Sequence, residues 1–338
     1  MFEMAVLSSS TAPARVFASR DLPGRALDRL RDEVQLDVWD LERRPNPAEL
    51  RARTASAKAL ISMPTDRVDD ELLASCPDLL VVANMAVGYD NFDVEALTRR
   101  GIPAGNTPGV LTDATADLTL GLIIATARRF TEARELIETD RWGSWDPNGL
   151  LGLELRGATL GIVGLGRIGR AVAERARGFG MRVIGYTRNP ITTDGVERVA
   201  LDDLLARSDV VSLHVSLNAE TTGLIGAREF ALMKPSAILV NTTRGKVVDV
   251  AALIRALQER RIGAAGLDVF EVEPIGAKHP LLALDNCVVT PHLGSATTTS
   301  RNAMANLVVD NVLAALSGEP LPHCVNPEVY TQTGTRRP

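Results

Sequence analysis

Three polar groups in the second half of the chain could together carry out a proton-coupled hydride transfer. They are the arginine of Asn241-Thr-Thr-Arg244-Gly-Lys, the second glutamate of Gly266-Leu-Asp268-Val-Phe-Glu-Val-Glu273-Pro274, and the histidine of Thr290-Pro-His292-Leu-Gly-Ser. Each follows a short apolar run, the pattern of a strand ending in a polar loop. A guanidinium can clamp a substrate carboxylate through two parallel hydrogen bonds. An imidazolium can protonate a carbonyl oxygen as hydride arrives, and a neighbouring carboxylate favours that charged form. The set suits the reduction of a 2-oxo acid. One Arg, Glu or His at a strand end is more often structural than catalytic, so the weight lies on all three occurring together. The chain has four histidines: His214, His279, His292 and His323. His214 also ends a strand-like run, and position alone does not separate it from His292. His279 and His323 sit in Pro-flanked loops that suit surface roles. Glu271, two residues before Glu273, is a decoy unless the local turn says otherwise.

Such groups need a hydride donor held beside them. Gly164-Leu165-Gly166-Arg167-Ile168-Gly169 has the form GxGxxG. A strand-like run, Thr159 to Val163, precedes it. A helical pattern from Arg167 to Phe179 follows, with Ile168, Val172 and Phe179 on one face, then Gly180 and a second run to Tyr186. That context, more than the glycines, makes a βαβ dinucleotide-binding fingerprint. The first glycine permits a tight turn, the second lets the backbone approach a pyrophosphate, and the third lets helix and strand pack closely. The helix N-terminus then faces the anion. After the second strand an NAD binder usually places an acidic residue on the ribose 2′-hydroxyl. Here the chain reads Tyr186-Thr187-Arg188-Asn189-Pro190. A hydroxyl and a guanidinium attract a 2′-phosphate that a carboxylate would repel. NADP is therefore favoured and NAD remains possible, since a solvated surface arginine looks the same in sequence.

The elements that must position these groups read as α/β. Continuous apolar runs bounded by turn residues suit strands buried on both faces, as in parallel sheets. They are Arg15 to Ser19, Ala59 to Ser62, Leu79 to Val82, Thr159 to Val163, Arg182 to Tyr186, Val210 to His214, Ala237 to Asn241, Gly263 to Leu267 and Cys287 to Thr290. They fall into two groups, before about residue 105 and between about 158 and 291. Between them, Asp113 to Ile137 reads as one long apolar connector helix capped by Asp113. Thr298 to Leu316 reads as a second helix with Ala303, Leu307, Val308 and Leu313 as its apolar face, ended by Gly318 and Pro320.

The length of 338 residues predicts two domains at roughly 100–200 residues each. With 45% hydrophobic and 23% charged residues the composition is globular, not disordered or collagen-like. With 37 Lys plus Arg against 42 Asp plus Glu, the net charge of −5 is a poor match for a nucleic-acid binder. It leaves room for a small anionic substrate in a local cationic pocket. Cys76, Cys287 and Cys324 are too sparse for a disulfide framework or a CxxC metal signature, so no metal site and a reducing, cytoplasmic setting are expected. The longest apolar run, about Leu118 to Ala127, is too short to span a bilayer. The first residues lack the basic start of a secretory signal. Segments 1–13 and 331–338 read as disordered tails.

Over about residues 15 to 325 the chain resembles the D-isomer-specific 2-hydroxyacid dehydrogenases, and within them the glyoxylate/hydroxypyruvate reductases. The resemblance rests on Asn84-Met-Ala-Val-Gly-Tyr-Asp90, Asn106-Thr-Pro-Gly-Val-Leu-Thr-Asp113, the Gly164–Gly169 loop, Asn241 to Gly245, Gly266 to Pro274 and Pro291-His-Leu-Gly-Ser-Ala296. It implies two doubly wound parallel-sheet domains. A Rossmann cofactor domain, 113–299, is inserted into a flavodoxin-like substrate domain made of 14–112 plus 300–330. It implies Arg244 as the substrate-orienting arginine, Glu273 as the partner glutamate and His292 as the proton donor, with His214 not catalytic. It implies that the Val87 and Gly88 amides hold the substrate carboxylate, and that the loop at Met63 meets the substrate side chain. Thr112, Ser216, Thr242, Thr243, Asp268 and Gly294 match cofactor-side positions, beside the loop residues, Thr187, Arg188 and Asn189. A homodimer formed through the cofactor domain is implied as well. Arg141-Trp-Gly-Ser-Trp145, His279-Pro-Leu-Leu282 and Gly318-Glu-Pro-Leu-Pro322 also resemble the NADPH-using glyoxylate reductases. Ser216 departs from the proline that many relatives carry. Glu273 separates the chain from formate dehydrogenases, and Val87 from phosphite dehydrogenases, which carry lysine there. Dehydrogenases of phenylpyruvate-like or phosphoglycerate substrates, and a dinucleotide-sensing corepressor on the same fold, are the alternatives.

Overall fold

The computed structural model describes residues 13–188 and 193–331. Asn189 and the two tails, apart from Pro13 and Thr331, lie outside the described residues. The chain divides into two compact units, one of residues up to Pro108 together with those from Arg301 onward, the other Gly109–Ser300.

The first unit is built on β1 (Arg15–Ala18), β2 (Gln35–Val38), β3 (Ala59–Ser62), β4 (Val81–Asn84) and β5 (Ala104–Gly105). They form one parallel sheet in the order β2-β1-β3-β4-β5. This is the flavodoxin-like order, with its reversal between β1 and β3. β3 and β4 are buried along their whole length, and Phe17, Leu60, Leu97 and Ile102 fill the core around them. The C-terminal segment is stitched onto this sheet by main-chain bonds, the Val325 amide to the Ala104 carbonyl at 2.7 Å and the Asn106 amide to the His323 carbonyl at 3.2 Å, and by one buried side chain. Asn326, fully buried, accepts from the Ala104 amide at 2.8 Å and donates to the Ile102 carbonyl at 3.1 Å and to Thr98 Oγ1 at 3.0 Å.

The second unit is built on β6 (Thr159–Val163), β7 (Arg182–Tyr186), β8 (Glu197–Arg198), β9 (Val210–Leu213), β10 (Ile238–Asn241), β11 (Ala264–Leu267) and β12 (Cys287–Val289). Its order is β12-β11-β10-β9-β6-β7-β8, and every pairing is parallel. The chain leaves β6 toward β7 and returns to β9 on its other side, so the switch point of a doubly wound sheet lies between β6 and β9. Because all seven strands run one way, every strand-end loop lies along the same edge.

The expected helix Asp113–Ile137 is two helices, Thr112–Ala127 and Phe130–Glu138. Arg129 breaks them apart in the left-handed region, at φ 56°. Asp113 is not the cap; it lies in the first turn and pairs with Arg175 at 2.8 Å. The first helix is not a free connector. Leu120, Leu122 and Ile123 are buried, and at Gly266 in β11 a Cβ would stand 2.9 Å from Thr126 Oγ1. The helix Thr298–Leu316 has its expected bounds but a different buried face. Met304, Ala305, Val308, Val309 and Val312 are buried, while Ala303, Leu307 and Leu313 are only half-buried.

Asn326→Ala should leave the Ala104 amide and Ile102 carbonyl without their partner. We expect a stability loss of about 1–3 kcal/mol per stranded group, read as a lower denaturant midpoint. An unchanged midpoint would show that this side chain does not hold the segment.

Candidate active site

The loop after β6 has the three properties its glycines foreshadow. Gly164 adopts φ +103°, and a Cβ there would stand 2.6 Å from the His214 carbonyl oxygen. At Gly169 a Cβ would lie 2.0 Å from the Gly164 carbonyl oxygen, so helix and turn could not approach as they do. At Gly166 an added Cβ would meet nothing within 4 Å. Gly166 heads the helix Arg167–Gly178 without a side-chain cap. The first amides of that helix therefore have no side-chain acceptor from the cap, and the backbone at Gly166 can be approached closely, which fits a pyrophosphate. Leu165 is buried beneath the loop, Ile168 is half-buried and Arg167 is exposed.

At the end of β7 no carboxylate follows Tyr186. Thr187 is half-buried and Arg188 is exposed and paired with Glu220. Arg198 in β8 donates to the Thr187 carbonyl at 3.3 Å. Past β9, His214 Nε2 meets Ser212 Oγ at 2.8 Å, and its Nδ1 is buried. Burial pushes the His214 imidazole down to about 3, so it is neutral at physiological pH and cannot serve as the charged donor. The Ser216 carbonyl accepts from Thr221 Oγ1 at 2.7 Å.

The loops after β10, β11 and β12 form one connected assembly. Asn241 Oδ1 accepts from the Thr243 amide at 3.0 Å and the Thr243 hydroxyl at 2.8 Å, while its Nδ2 donates to the Arg244 carbonyl at 2.9 Å. Thr242 Oγ1 lies 3.1 Å from Thr119 Oγ1. The Arg244 guanidinium donates to the Thr243 carbonyl at 2.9 Å. At the next residue, Gly245, a Cβ would stand 1.9 Å from the Phe270 carbonyl carbon. Only glycine lets the Arg244 loop touch the Phe270–Glu273 loop backbone to backbone.

Asp268, fully buried, organises the turn that carries the histidine. It accepts from Thr290 Oγ1 at 2.6 Å, from the Leu293 amide at 2.7 Å and from the Gly294 amide at 2.8 Å. Burial raises its carboxyl above the ordinary range despite these donors and the nearby His292 charge. Thr115 Oγ1 ties the same turn down through the Gly294 carbonyl at 3.0 Å. His292 sits at φ 56°, and its amide donates to the Asp268 carbonyl at 2.9 Å. That backbone presents His292 Nδ1 to Glu273 Oε2 at 2.7 Å, while Glu273 Oε1 accepts from the Phe270 amide at 2.8 Å. Glu273, not Glu271, is thus the partner. Burial pushes the Glu273 carboxyl up, but the His292 bond and charge, the Phe270 amide and the Arg244 charge outweigh it and hold it below the ordinary value. With Nδ1 committed, Nε2 is the ring nitrogen that can face a ligand. His279 instead accepts from the Leu281 amide at 3.3 Å, capping a short turn.

Met63, Val87 and Gly88 belong to the first unit, at the carboxyl ends of β3 and β4. The Ala86 carbonyl accepts from the Thr107 amide at 2.9 Å, the Val87 carbonyl from Asn106 Nδ2 at 2.8 Å, and the Gly88 carbonyl from Asn84 Nδ2 at 2.9 Å. In a trans peptide the N–H points opposite to the carbonyl before it. The Val87 and Gly88 amides are therefore turned together away from Thr107 and Asn106. The Met63 amide donates to Asp66 at 2.7 Å, and its carbonyl accepts from Asn91 at 3.2 Å. Thr112 begins its helix half-buried.

Among the described residues no cluster of His, Cys, Asp or Glu could hold a metal ion, and no helix is long and apolar enough to cross a membrane. The three cysteines are free, and burial pushes Cys287 up to about 12. Sequence reasoning assigned no task to Gly245, Asn84, Asn106, Thr290 or Arg198. Asn84, just after the Leu79 to Val82 run, carried a signal in the sequence, whereas Asn106 follows the two-residue strand β5, which has no such run. Nothing in the sequence around Arg198 points to the end of β7.

A family model for the D-isomer specific 2-hydroxyacid dehydrogenase NAD binding domain matches residues 120–294. A glyoxylate reductase of Korarchaeum cryptofilum is 48% identical over 320 residues, covering 93% of this chain and 96% of that protein. A crystal structure of a Thermus thermophilus protein superposes with TM-score 0.87 at 47% identity, covering 92% of this chain and 99% of the other. An NADPH-dependent glyoxylate/hydroxypyruvate reductase from Sinorhizobium meliloti, solved with NADP and malonate, gives TM-score 0.83 at 34% identity, covering 94% and 98%.

Because the folded Glu273 carboxyl lies below its ordinary value, the His292 pair stabilises the protein above the ordinary glutamate range, and this gain is lost as pH falls through the depressed value. In His292→Ala, burial acts without the cation. Carboxyl NMR, assigned with Glu273→Gln, should place the Glu273 titration at higher pH in that variant; no movement would remove His292 as the cause.

Proposed function

We propose a reaction from one premise: the chain belongs to the D-isomer-specific 2-hydroxyacid dehydrogenases. It reduces small 2-oxo acids, glyoxylate and hydroxypyruvate, to the 2-hydroxy acids, with NADPH preferred over NADH. NADPH supplies the hydride when bound. The observation that carries this reading is the 2.7 Å contact of His292 Nδ1 with Glu273, beside a loop bearing Arg244. His292 donates its Nε2 proton to the substrate carbonyl oxygen. Glu273 fixes the ring and balances the imidazolium charge. Arg244 clamps the substrate carboxylate, and the Val87 and Gly88 amides are further donors to it. Met63 bears on the substrate side chain. Gly164 to Gly169 receive the pyrophosphate, and Thr187 and Arg188 the 2′-phosphate. Thr112, Ser216, Thr242, Thr243 and Gly294 line the cofactor side, with Asp268 holding the turn that contains Gly294. Asn189 is assigned with the 2′-phosphate group from the sequence alone. The relatives support the substrate and cofactor choice: a glyoxylate reductase on one side, an NADPH-dependent glyoxylate/hydroxypyruvate reductase on the other.

The protein works as a homodimer in the cytoplasm. Supporting self-association, Phe130, Ile137, Trp142, Trp145 and Leu151 are all exposed within one short stretch of the second unit, Trp145 by 84%. Scattered single exposed apolar residues are ordinary, whereas a run of this kind marks an interaction surface. Trp145→Glu should lower the mass measured by light scattering from dimer to monomer; a monomeric unsubstituted protein would end this reading.

Initial rates with glyoxylate and hydroxypyruvate should be higher with NADPH than with NADH. His292→Ala should lower kcat on the order of 10²–10⁴-fold with cofactor affinity little changed. Near-full activity in that variant would unseat His292 as donor. An NADH preference would overturn the strand-end reading alone, and cofactor binding without turnover of any 2-oxo acid would favour the sensing role. Glu273→Gln should lower kcat more than it raises KM, since the ring loses the carboxylate that orients Nδ1; unchanged kcat would exclude that role.

A further inference from the structure

We propose that Glu220 tempers the NADPH preference by competing with the cofactor's 2′-phosphate for Arg188, and that Arg198 is the second cation of that phosphate site. The proposal rests on the reading of the β7 end as the 2′-phosphate site. Its basis is the Arg188–Glu220 ion pair together with the approach of Arg198 to Thr187.

Glu220 reaches Arg188 from a backbone held in place. It stands on a turn fixed from within. Asn218 Oδ1 accepts from the Glu220 amide at 2.9 Å and the Thr221 amide at 3.1 Å. The Asn218 amide donates to Thr221 Oγ1 at 2.8 Å, and Thr222 Oγ1 donates to the Asn218 carbonyl at 2.8 Å. The Thr221 hydroxyl in turn donates to the Ser216 carbonyl at 2.7 Å, tying the turn to the end of β9. A carboxylate so placed neutralises the one guanidinium that the strand end itself carries.

Arg198 arrives independently. β8 pairs with β7 in the register Ile184↔Glu197 and Gly185↔Arg198. The Arg198 guanidinium reaches past that register to the Thr187 carbonyl. Two guanidiniums thus flank Thr187. A phosphate dianion has three acceptor oxygens and more charge than a carboxylate, so it can engage both. The pair it must displace is exposed at both ends, 68% and 67%, and such pairs are weak. NADPH therefore displaces Glu220 at a modest cost in affinity. NADH brings no 2′ charge, leaves the pair in place and incurs no such cost. The cofactor preference is narrower than Thr187 and Arg188 alone would make it.

The test is the dissociation constants of NADPH, NADH and adenosine 2′-monophosphate for the full chain and for Glu220→Gln, Arg188→Ala, Arg198→Ala and the double variant Arg188→Ala/Glu220→Gln. Glu220→Gln should tighten NADPH and adenosine 2′-monophosphate about two- to fivefold, the range of an exposed ion pair, and leave NADH within about twofold, below that range. The gain should vanish in the Arg188→Ala background. Arg198→Ala should weaken both 2′-phosphate ligands and spare NADH. Unchanged or weaker NADPH binding in Glu220→Gln, with Arg188→Ala still harmful, would overturn the competition and keep the cofactor reading. Loss of NADH binding in Glu220→Gln would make the carboxylate a ribose acceptor and overturn it too. Unchanged 2′-phosphate binding in Arg198→Ala would remove that cation. If Arg188→Ala itself spared NADPH, the underlying assignment of the strand end would fall.

Discussion

Where the backbone at Gly245 meets the backbone at Phe270, there is no room for a side chain of any size. The contact joins the loop of β10 to the loop of β11, and the rest of the site follows from it. The Phe270 amide reaches Glu273 Oε1, which turns Oε2 toward His292. Arg244, one residue before the contact, is close enough for its charge to act on the Glu273 carboxyl. Main chain thus sets where Arg244 and Glu273 stand, and the Asp268 side chain holds the turn that brings His292 to them. The Phe270 amide and the His292 ring together lock the Glu273 rotamer.

A second carboxylate does a different task. Asp268 spends both oxygens on the turn that follows β12 and accepts from a hydroxyl and two amides. Burying an ion is costly unless its hydrogen bonds are made, and here they are made by the segment whose unusual backbone the site needs. His292 occupies the left-handed region, which a β-carbon-bearing residue holds only where its surroundings over-determine it. In Glu273 burial and neighbouring cations oppose one another and the cations win; in Asp268 burial wins. The two acids are five residues apart in sequence and opposite in electrostatic outcome.

The buried centre of each sheet was readable because a strand covered on both faces is a continuous apolar run. The strands that escaped were β2, β5 and β8, each at a sheet edge, where one side needs no apolar cover or the pairing lasts two residues. Arg198 was hidden for the same reason: it belongs to an edge strand with no pattern of its own. The catalytic candidates were readable because strand ends in a parallel sheet share one edge. Gly245 was not, because its constraint is a contact with Phe270 that only the folded chain creates. The break at Arg129 and the phase of the helix Thr298–Leu316 were misread because both depend on what the helices pack against, and periodicity alone cannot decide between two half-apolar faces.

The stitch at Asn326 also bears on how the molecule comes into being. Ala104 and Asn326 are separated by 222 positions, and the whole second unit lies between them. The Ala104 amide cannot receive its Asn326 partner until chain from beyond the second unit is present, whereas the second unit is continuous. By closing on itself it shortens the effective loop that the first unit has to close, and with it the entropy of bringing those ends together. The connectivity thus leaves the second unit self-sufficient and makes completion of the first depend on chain from both sides of it.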